Sequence, residues 1–221
     1  HISLTPWEMG GSDFSIEYYI YKSGGSNGAF LWNFNNSLLH CTKNDKYGLG
    51  NQIGVEVTSN KLYHWVSTHQ NTTDSNGDKG HHFVFNNVNN YNNGYWHHTV
   101  ISYSHFNRSM TCYNSRCNGT NGATLNSYKT HTINLSNYAF PQQDLRNLHI
   151  LGCRGFWERN TSGIDYLGTE AVNDHFNGTF IYFRYYDYAI SADDAIILRD
   201  NRNYAATFPP TADFVWEPEP E

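Results

Sequence analysis

The stretch FNGTFIYFRYYDYAISADDAIIL, running from Phe176 to Leu198, decides the fold. Phe176, Gly178, Phe180, Tyr182, Arg184 and Tyr186 alternate with Asn177, Thr179, Ile181, Phe183 and Tyr185, a period-2 pattern rich in aromatic and β-branched residues. That pattern predicts one long strand. Ser191 then stands three residues before Asp194, the capping-box spacing in which the hydroxyl accepts from a backbone N–H while the carboxylate reaches back. A short helix from Ala192 to about Asp200 is therefore expected. A strand, a tight loop and a capped helix near the end of a chain close a sheet and cover one of its edges or ends, so the preceding residues must supply most of the strands.

They read that way. Phe14 to Tyr21 puts Phe14, Ile16, Tyr18 and Ile20 on one inward face, and Trp96 to Tyr103 is a strand opening on Trp. Ile53–Val57 and Leu62–Val66 form a hairpin about Ser59-Asn60-Lys61. Shorter strands are expected at Ala29–Phe34, Leu38–Cys41, Phe83–Asn86, Tyr128–Leu135 and Leu145–Gly152. Loops are expected at Asn86–Gly94, rich in Asn and Tyr, and at Gly155–Gly168, which carries Phe156 and Trp157. A dozen or so short antiparallel strands and one helix make an all-β, two-sheet antiparallel jelly-roll sandwich with one short C-terminal helix. With no internal repeat, residues 1–208 read as one domain. Residues 209–221 read as a Pro/Glu-rich linker or tail, as in part of a longer multidomain chain or assembly.

Composition excludes several roles. The formal charge is −6 with no cluster of Lys or Arg, so nucleic acid is not an expected partner. No apolar run reaches the length of a membrane-spanning helix. Aromatic residues make up 16% of the chain, enough for a large ring-built core.

Four cysteines leave three pairings open. Cys112 and Cys117 bracket Tyr113-Asn114-Ser115-Arg116, an insert that reads as a hairpin turn able to bring them within disulfide reach, which leaves Cys41 for Cys153. The competing reading is reduced thiols. Seven N-x-S/T sequons occur, at Asn35, Asn71, Asn107, Asn118, Asn134, Asn160 and Asn177, against roughly four expected by chance from 28 Asn. Sequons and disulfides together point to an extracellular, cell-surface or virion-surface protein. Asp74, Asn76 and Asp78 place hard oxygen donors at alternate positions, like the start of a calcium loop, although Gly80 falls one position late and Phe85 stands where the loop's Glu belongs. The competing reading is an Asx-rich surface turn about Asn76-Gly77. No cofactor is required. His97 and His98, adjacent on a strand, point to opposite faces and do not chelate one ion together.

In this order, Phe14-Ser15-Ile16-Glu17-Tyr18-Tyr19-Ile20, Trp96-His97-His98-Thr99-Val100, Leu148-His149-Ile150-Leu151-Gly152 and Phe176-x-Gly178 through Arg184-x-Tyr186 to Ala189-Ile190-Ser191 resemble four segments of one family. They are similar to the opening strand, the WHHV strand, the LxIG strand and the FxGxIDEVRIYNRALS ending of laminin G-like domains, in the concanavalin A-like lectin and glucanase superfamily. The resemblance implies the concanavalin A-like sandwich. Ile181 and Tyr182 stand in place of the family's acidic pair, so no acidic site is implied there.

Glucanases of this scaffold need carboxylates side by side at period-2 spacing, and among eight Glu and twelve Asp no such trio occurs. An enzyme is not expected. The expected function is a non-catalytic extracellular binding module, lectin-like or adhesive, whose partner is a glycan or a surface protein. Trp157, Tyr91 and Tyr95 are its candidate ring platforms, the alternative for each being ordinary packing. The rival function is a structural surface module of a virion, appendage or extracellular assembly, making protein contacts.

Overall fold

The computed structural model describes residues 2–4, 7–9, 11–24, 29–35, 53–58, 60–67, 80–91, 93–118, 125–136, 144–145, 148–152, 154–159, 166–173 and 175–201. The elements in chain order are β1 (Ile2–Leu4), β2 (Glu8–Met9), β3 (Phe14–Gly24), β4 (Ala29–Asn35), β5 (Ile53–Thr58), β6 (Lys61–Ser67), β7 (Gly80–Phe85), β8 (Tyr95–Ser104), β9 (Ser109–Asn118), β10 (Lys129–Asn134), β11 (Asp144–Leu145), β12 (Leu148–Leu151), β13 (Arg154–Arg159), β14 (Tyr166–Asn173), β15 (Asn177–Tyr186) and α1 (Ala192–Asp200). Two antiparallel sheets carry the fold, one ordered β1-β12-β4-β5-β6-β7 and the other β10-β9-β8-β3-β15. Two short ribbons, β2 with β11 and β13 with β14, complete the described strands.

The facing sides of the two sheets make one core. Phe14, Ile16, Tyr18 and Ile20 of β3 meet Trp32 and Phe34 of β4, Ile53, Val55 and Val57 of β5 and Leu62 of β6. Rings interlock rather than merely fill the space: Phe14 stacks on Tyr103 at 4.0 Å, and Trp7 stands edge-on to Phe34 at 5.1 Å. His64 is buried in this layer and pairs through Nε2 with the Tyr103 hydroxyl.

The closing strand, β15, does not hold one alternation along its length. Phe180 pairs with Ile20 and Tyr182 with Tyr19, so Ile181 is the extra residue of a β-bulge, and it is exposed. The insertion reverses the faces. Phe180, Phe183 and Tyr185 pack on the core, while Tyr182, Arg184 and Tyr186 point outward. An unbroken period over Phe176–Tyr186 is thereby corrected. A bulge on an edge strand also discourages pairing with another chain.

Gly178 lies where β15 meets β3. A Cβ there would overlap the Tyr21 carbonyl oxygen and stand 2.5 Å from the Phe176 ring. Because one obstacle is backbone, Gly178→Ala is expected to cost about 1–3 kcal/mol, read as a lower midpoint in chemical denaturation.

Helix α1 forms as its sequence predicts. The Asp194 N–H donates to Ser191 Oγ at 3.2 Å, and the Ser191 hydroxyl donates to the Asp194 carboxylate at 2.7 Å, so the carboxylate is held by the cap side chain. The helix buries Ala195 and Leu198 with Ile190 against Val100, Tyr113 and Tyr186 on the outer side of the five-stranded sheet.

Two further expectations change. Cys112 and Cys117 lie in one continuous strand, β9, where Tyr113, Asn114 and Ser115 pair in turn with Val100, Thr99 and His98. No turn separates the two cysteines, an odd spacing sends them to opposite faces, and neither forms a disulfide. Second, Gly155–Gly168 is not a loop throughout, since β13 carries Phe156 and Trp157 and pairs with β14. Cys41, Cys153 and residues 209–221 lie outside the described residues.

Candidate functional site

Outward-facing residues of β3, β8 and β15 converge beside α1, and Glu17 is their hub. The Glu17 side chain is fully buried. His98 donates from Nε2 to Oε1 at 2.7 Å, and the Tyr182 hydroxyl donates to the same oxygen at 2.8 Å. Oε2 accepts from the Tyr186 hydroxyl at 2.6 Å and from Arg184 Nη1 at 3.4 Å. Burial pushes the Glu17 carboxyl up. The His98 hydrogen bond and charge, the Tyr186 hydroxyl and the Arg184 guanidinium outweigh it and hold the group below the usual carboxylate range. Four donors fill the lone-pair positions of a carboxylate. Glu17 is thus a structural anion with no capacity left to move a proton or attack a substrate.

The hub extends through His98. A carboxylate accepts only, so Nε2 carries a proton, and Nδ1 meets the Tyr128 hydroxyl at 2.5 Å. Tyr128 in turn lies under the Arg199 guanidinium of α1, 5.4 Å from its ring centroid. Helix, sheet and the segment before β10 are tied to one buried charge.

Beside the hub runs a ladder of rings. Tyr182 on β15 lies 6.0 Å from Tyr19 on β3, Tyr19 lies 5.2 Å from Trp96 on β8, and Trp96 lies 5.1 Å from Tyr21. Tyr19 is almost covered by its neighbours, whereas Tyr21, Trp96 and Tyr182 are half-buried and present ring surface to solvent. The rings tilt by 34–45° relative to one another. The Trp96 indole N–H is buried with no acceptor among the described residues, so the solvent-facing part of this residue is apolar ring. Arg184 lies over Tyr182 with its guanidinium carbon 4.1 Å from the ring centroid. Apolar ring faces next to a cation suit a ligand with C–H faces and polar or anionic substituents.

The ring platforms named from sequence fall elsewhere. Tyr91 enters the core instead of serving a loop: its ring is fully buried, stacked on His97 at 4.0 Å, and its hydroxyl joins Thr99 and lies 3.2 Å from both the Tyr18 hydroxyl and Asn114 Nδ2. Tyr95 is half-buried at the start of β8 beside Trp96 but on the opposite face, with Arg116 4.8 Å over its ring and His97 6.5 Å away. Trp157 lies on β13, and its side chain is outside what is described. Asp74, Asn76 and Asp78 are outside the described residues too. Among those described, no group of three His, Cys, Asp or Glu is placed to hold a metal ion.

Of the sequons, Asn107 is exposed in the β8–β9 turn, Asn134 ends β10 exposed, and Asn177 begins β15 exposed. Asn35 ends β4 and Asn118 ends β9, while Asn71 and Asn160 are outside the described residues. Tyr21, Trp96, Tyr182 and Arg184 escaped the sequence reading. The signal was present for Tyr21: if Phe14, Ile16, Tyr18 and Ile20 face inward, Tyr19 and Tyr21 face outward.

No protein-family model matches the chain, and no curated protein sequence matches it. Solved structures do. The CBM40 of the Ruminococcus gnavus IT-sialidase bound to alpha2,6 sialyllactose is 12% identical, covers 90% of this chain and 95% of its own, and has a TM-score of 0.55. The same CBM40 without that ligand is 13% identical over 90% of this chain and 98% of its own, with a TM-score of 0.53. The LG1-3 region of the laminin alpha2 chain is 12% identical over 86% of this chain and 31% of its own, with a TM-score of 0.51. Likeness at this identity speaks of the fold alone, and it agrees with the two sheets and one helix of the described residues: the chain has a jelly-roll sandwich fold like that of the CBM40 and laminin LG domains.

Proposed function

We propose that the protein is a non-catalytic carbohydrate-binding module of the extracellular or cell surface, and that its glycan lies along Tyr21, Trp96 and Tyr182. The observation that carries this reading is the continuous ring ladder across three strands, with half-exposed ring surface and a cation at one end. Sugars offer C–H faces to such rings and hydroxyls to the polar groups around them. A module of the same fold binds sialyllactose, which supports the assignment of class. The buried state of Glu17 supports a binding role over hydrolysis, because a retaining hydrolase needs two accessible carboxylates about 5–5.5 Å apart.

The test is a glycan array probed with the whole chain, once in calcium and once in EDTA. Binding to a defined set of glycans is expected, and a flat array in both conditions contradicts the reading. Loss of signal in EDTA would assign a calcium ion, for which Asp74, Asn76 and Asp78 are the proposed donors. A flat array with self-association or capture of a surface protein returns the chain to the structural role. Trp96→Ala is expected to weaken the best glycan about tenfold or more, measured by titration calorimetry, while the fold survives.

A further inference from the structure

Resting on the glycan-binding reading, we infer that the ladder selects sugars bearing a carboxylate, and that Arg184 receives it. The Arg184 side chain is 18% exposed, and its guanidinium makes a 3.4 Å contact with Glu17 Oε2 and interacts with the Tyr186 hydroxyl. The contact with Glu17 is longer than the roughly 2.7–2.9 Å of a charge-assisted bond. Glu17 therefore holds the guanidinium in place by charge while His98, Tyr182 and Tyr186 supply its short bonds. A guanidinium carries five N–H donors in a planar fork, so these two contacts leave donors of the fork for a ligand.

The surroundings fix that fork. Tyr182 supports one face of the guanidinium at 4.1 Å, and the Tyr182 hydroxyl is itself anchored on Glu17, so the cation and the adjoining ring share a support. Among the described residues Glu17 is the carboxylate that acts on Arg184, and its charge is spread over four donors. A sugar seated beside the Tyr182 ring would bring an attached carboxylate toward Arg184, where a bidentate pair can form. A neutral sugar of the same shape gains the rings and leaves the fork to water.

The experiment titrates the whole chain with sialyllactose and with lactose, which share a neutral core and differ in one carboxylated residue. We expect sialyllactose to bind about tenfold or more tightly than lactose, with a margin that narrows as salt rises. Arg184→Lys keeps a positive charge beside Glu17 but removes the fork, and Arg184→Gln removes both. Each is expected to erase most of the margin through a loss of sialyllactose affinity; Arg184→Gln, which takes a cation from beside buried Glu17, is also expected to lower the melting temperature, and Arg184→Lys, which keeps the charge, separates that loss from the loss of the fork. Equal affinity for the two sugars overturns the inference and leaves the glycan-binding reading standing, as does a margin that persists in Arg184→Gln. Neither sugar binding while the array reports neutral glycans overturns it as well. A flat array removes the reading beneath it.

Discussion

Glu17→Ala is expected to destabilise the fold by about 3–5 kcal/mol, lowering the melting temperature on the order of 10 °C in a chain of this size. The alanine leaves Arg184, His98, Tyr182 and Tyr186 facing an empty position, and three of these four contacts lie at 2.6–2.8 Å in the parent. Truncating one member of a buried, hydrogen-bonded charge cluster costs far more than its net contribution, because the partners stay desolvated without acceptors. Glu17→Gln keeps the volume and part of the acceptor capacity, so a smaller loss is expected. The effect depends on pH with a definite sign. The folded-state carboxyl titrates below its ordinary 4.5, so its stabilisation is complete above that value and is lost as pH falls through the folded one. The stability gap between parent and Glu17→Ala should therefore close on acidification. A gap that stays constant from neutral pH down to pH about 3 would contradict the cluster as described.

Tyr91→Ala should cost a comparable amount, about 3–5 kcal/mol in denaturant unfolding, as for removal of a large buried ring. The ring is fully buried against His97, and its backbone N–H holds Asn60 O at 2.8 Å, which pins the 86–94 segment over the end of the sheet. Tyr91→Phe separates the two contributions. It keeps the ring and removes the hydroxyl shared among Thr99, Tyr18 and Asn114, with an expected loss of about 1–3 kcal/mol. Burial, reinforced by the nearby Cys112 thiol and only partly offset by the hydrogen bonds with Thr99, Tyr18 and Asn114, holds the Tyr91 hydroxyl protonated far above its ordinary range, so neither variant changes the acid profile. If Tyr91→Ala kept full stability and lost glycan binding, the ring would belong to a ligand site and its place in the core would be wrong.

What the sequence disclosed depended on whether local chemistry and tertiary packing agreed. Trp96-His97-His98 was legible because strict alternation forces the two histidines apart: His97 stacks under Tyr91 in the core, and His98 reaches Glu17 on the other face. Helix α1 was legible from its cap alone. The bulge at Ile181 was not, since apolar residues on both sides of it satisfy either register and only the pairing with Tyr19 and Ile20 selects one. Tyr91 sits in a run of Asn residues that reads as surface, yet buried hydroxyl and amide partners on two strands draw it inward. Tyr113-Asn114-Ser115-Arg116 has the composition of a turn, but β8 supplies a partner at each position and the strand continues.

The ladder was hidden for a related reason. Its rings come from three strands far apart in the chain, Tyr182 on β15, Tyr19 and Tyr21 on β3 and Trp96 on β8, and only the sheet order makes them neighbours. Glu17 looked isolated on its strand for the same reason, although four partners reach it from β8 and β15.

Saturation-transfer NMR with sialyllactose tests the central claim most directly, using the parent chain, Trp96→Ala and Tyr95→Ala. The ladder predicts transfer to the sugar C–H protons in the parent and in Tyr95→Ala, and its loss in Trp96→Ala with the folded spectrum retained. Transfer undiminished in Trp96→Ala, or abolished in Tyr95→Ala alone, would contradict a glycan site on the outer side of the five-stranded sheet.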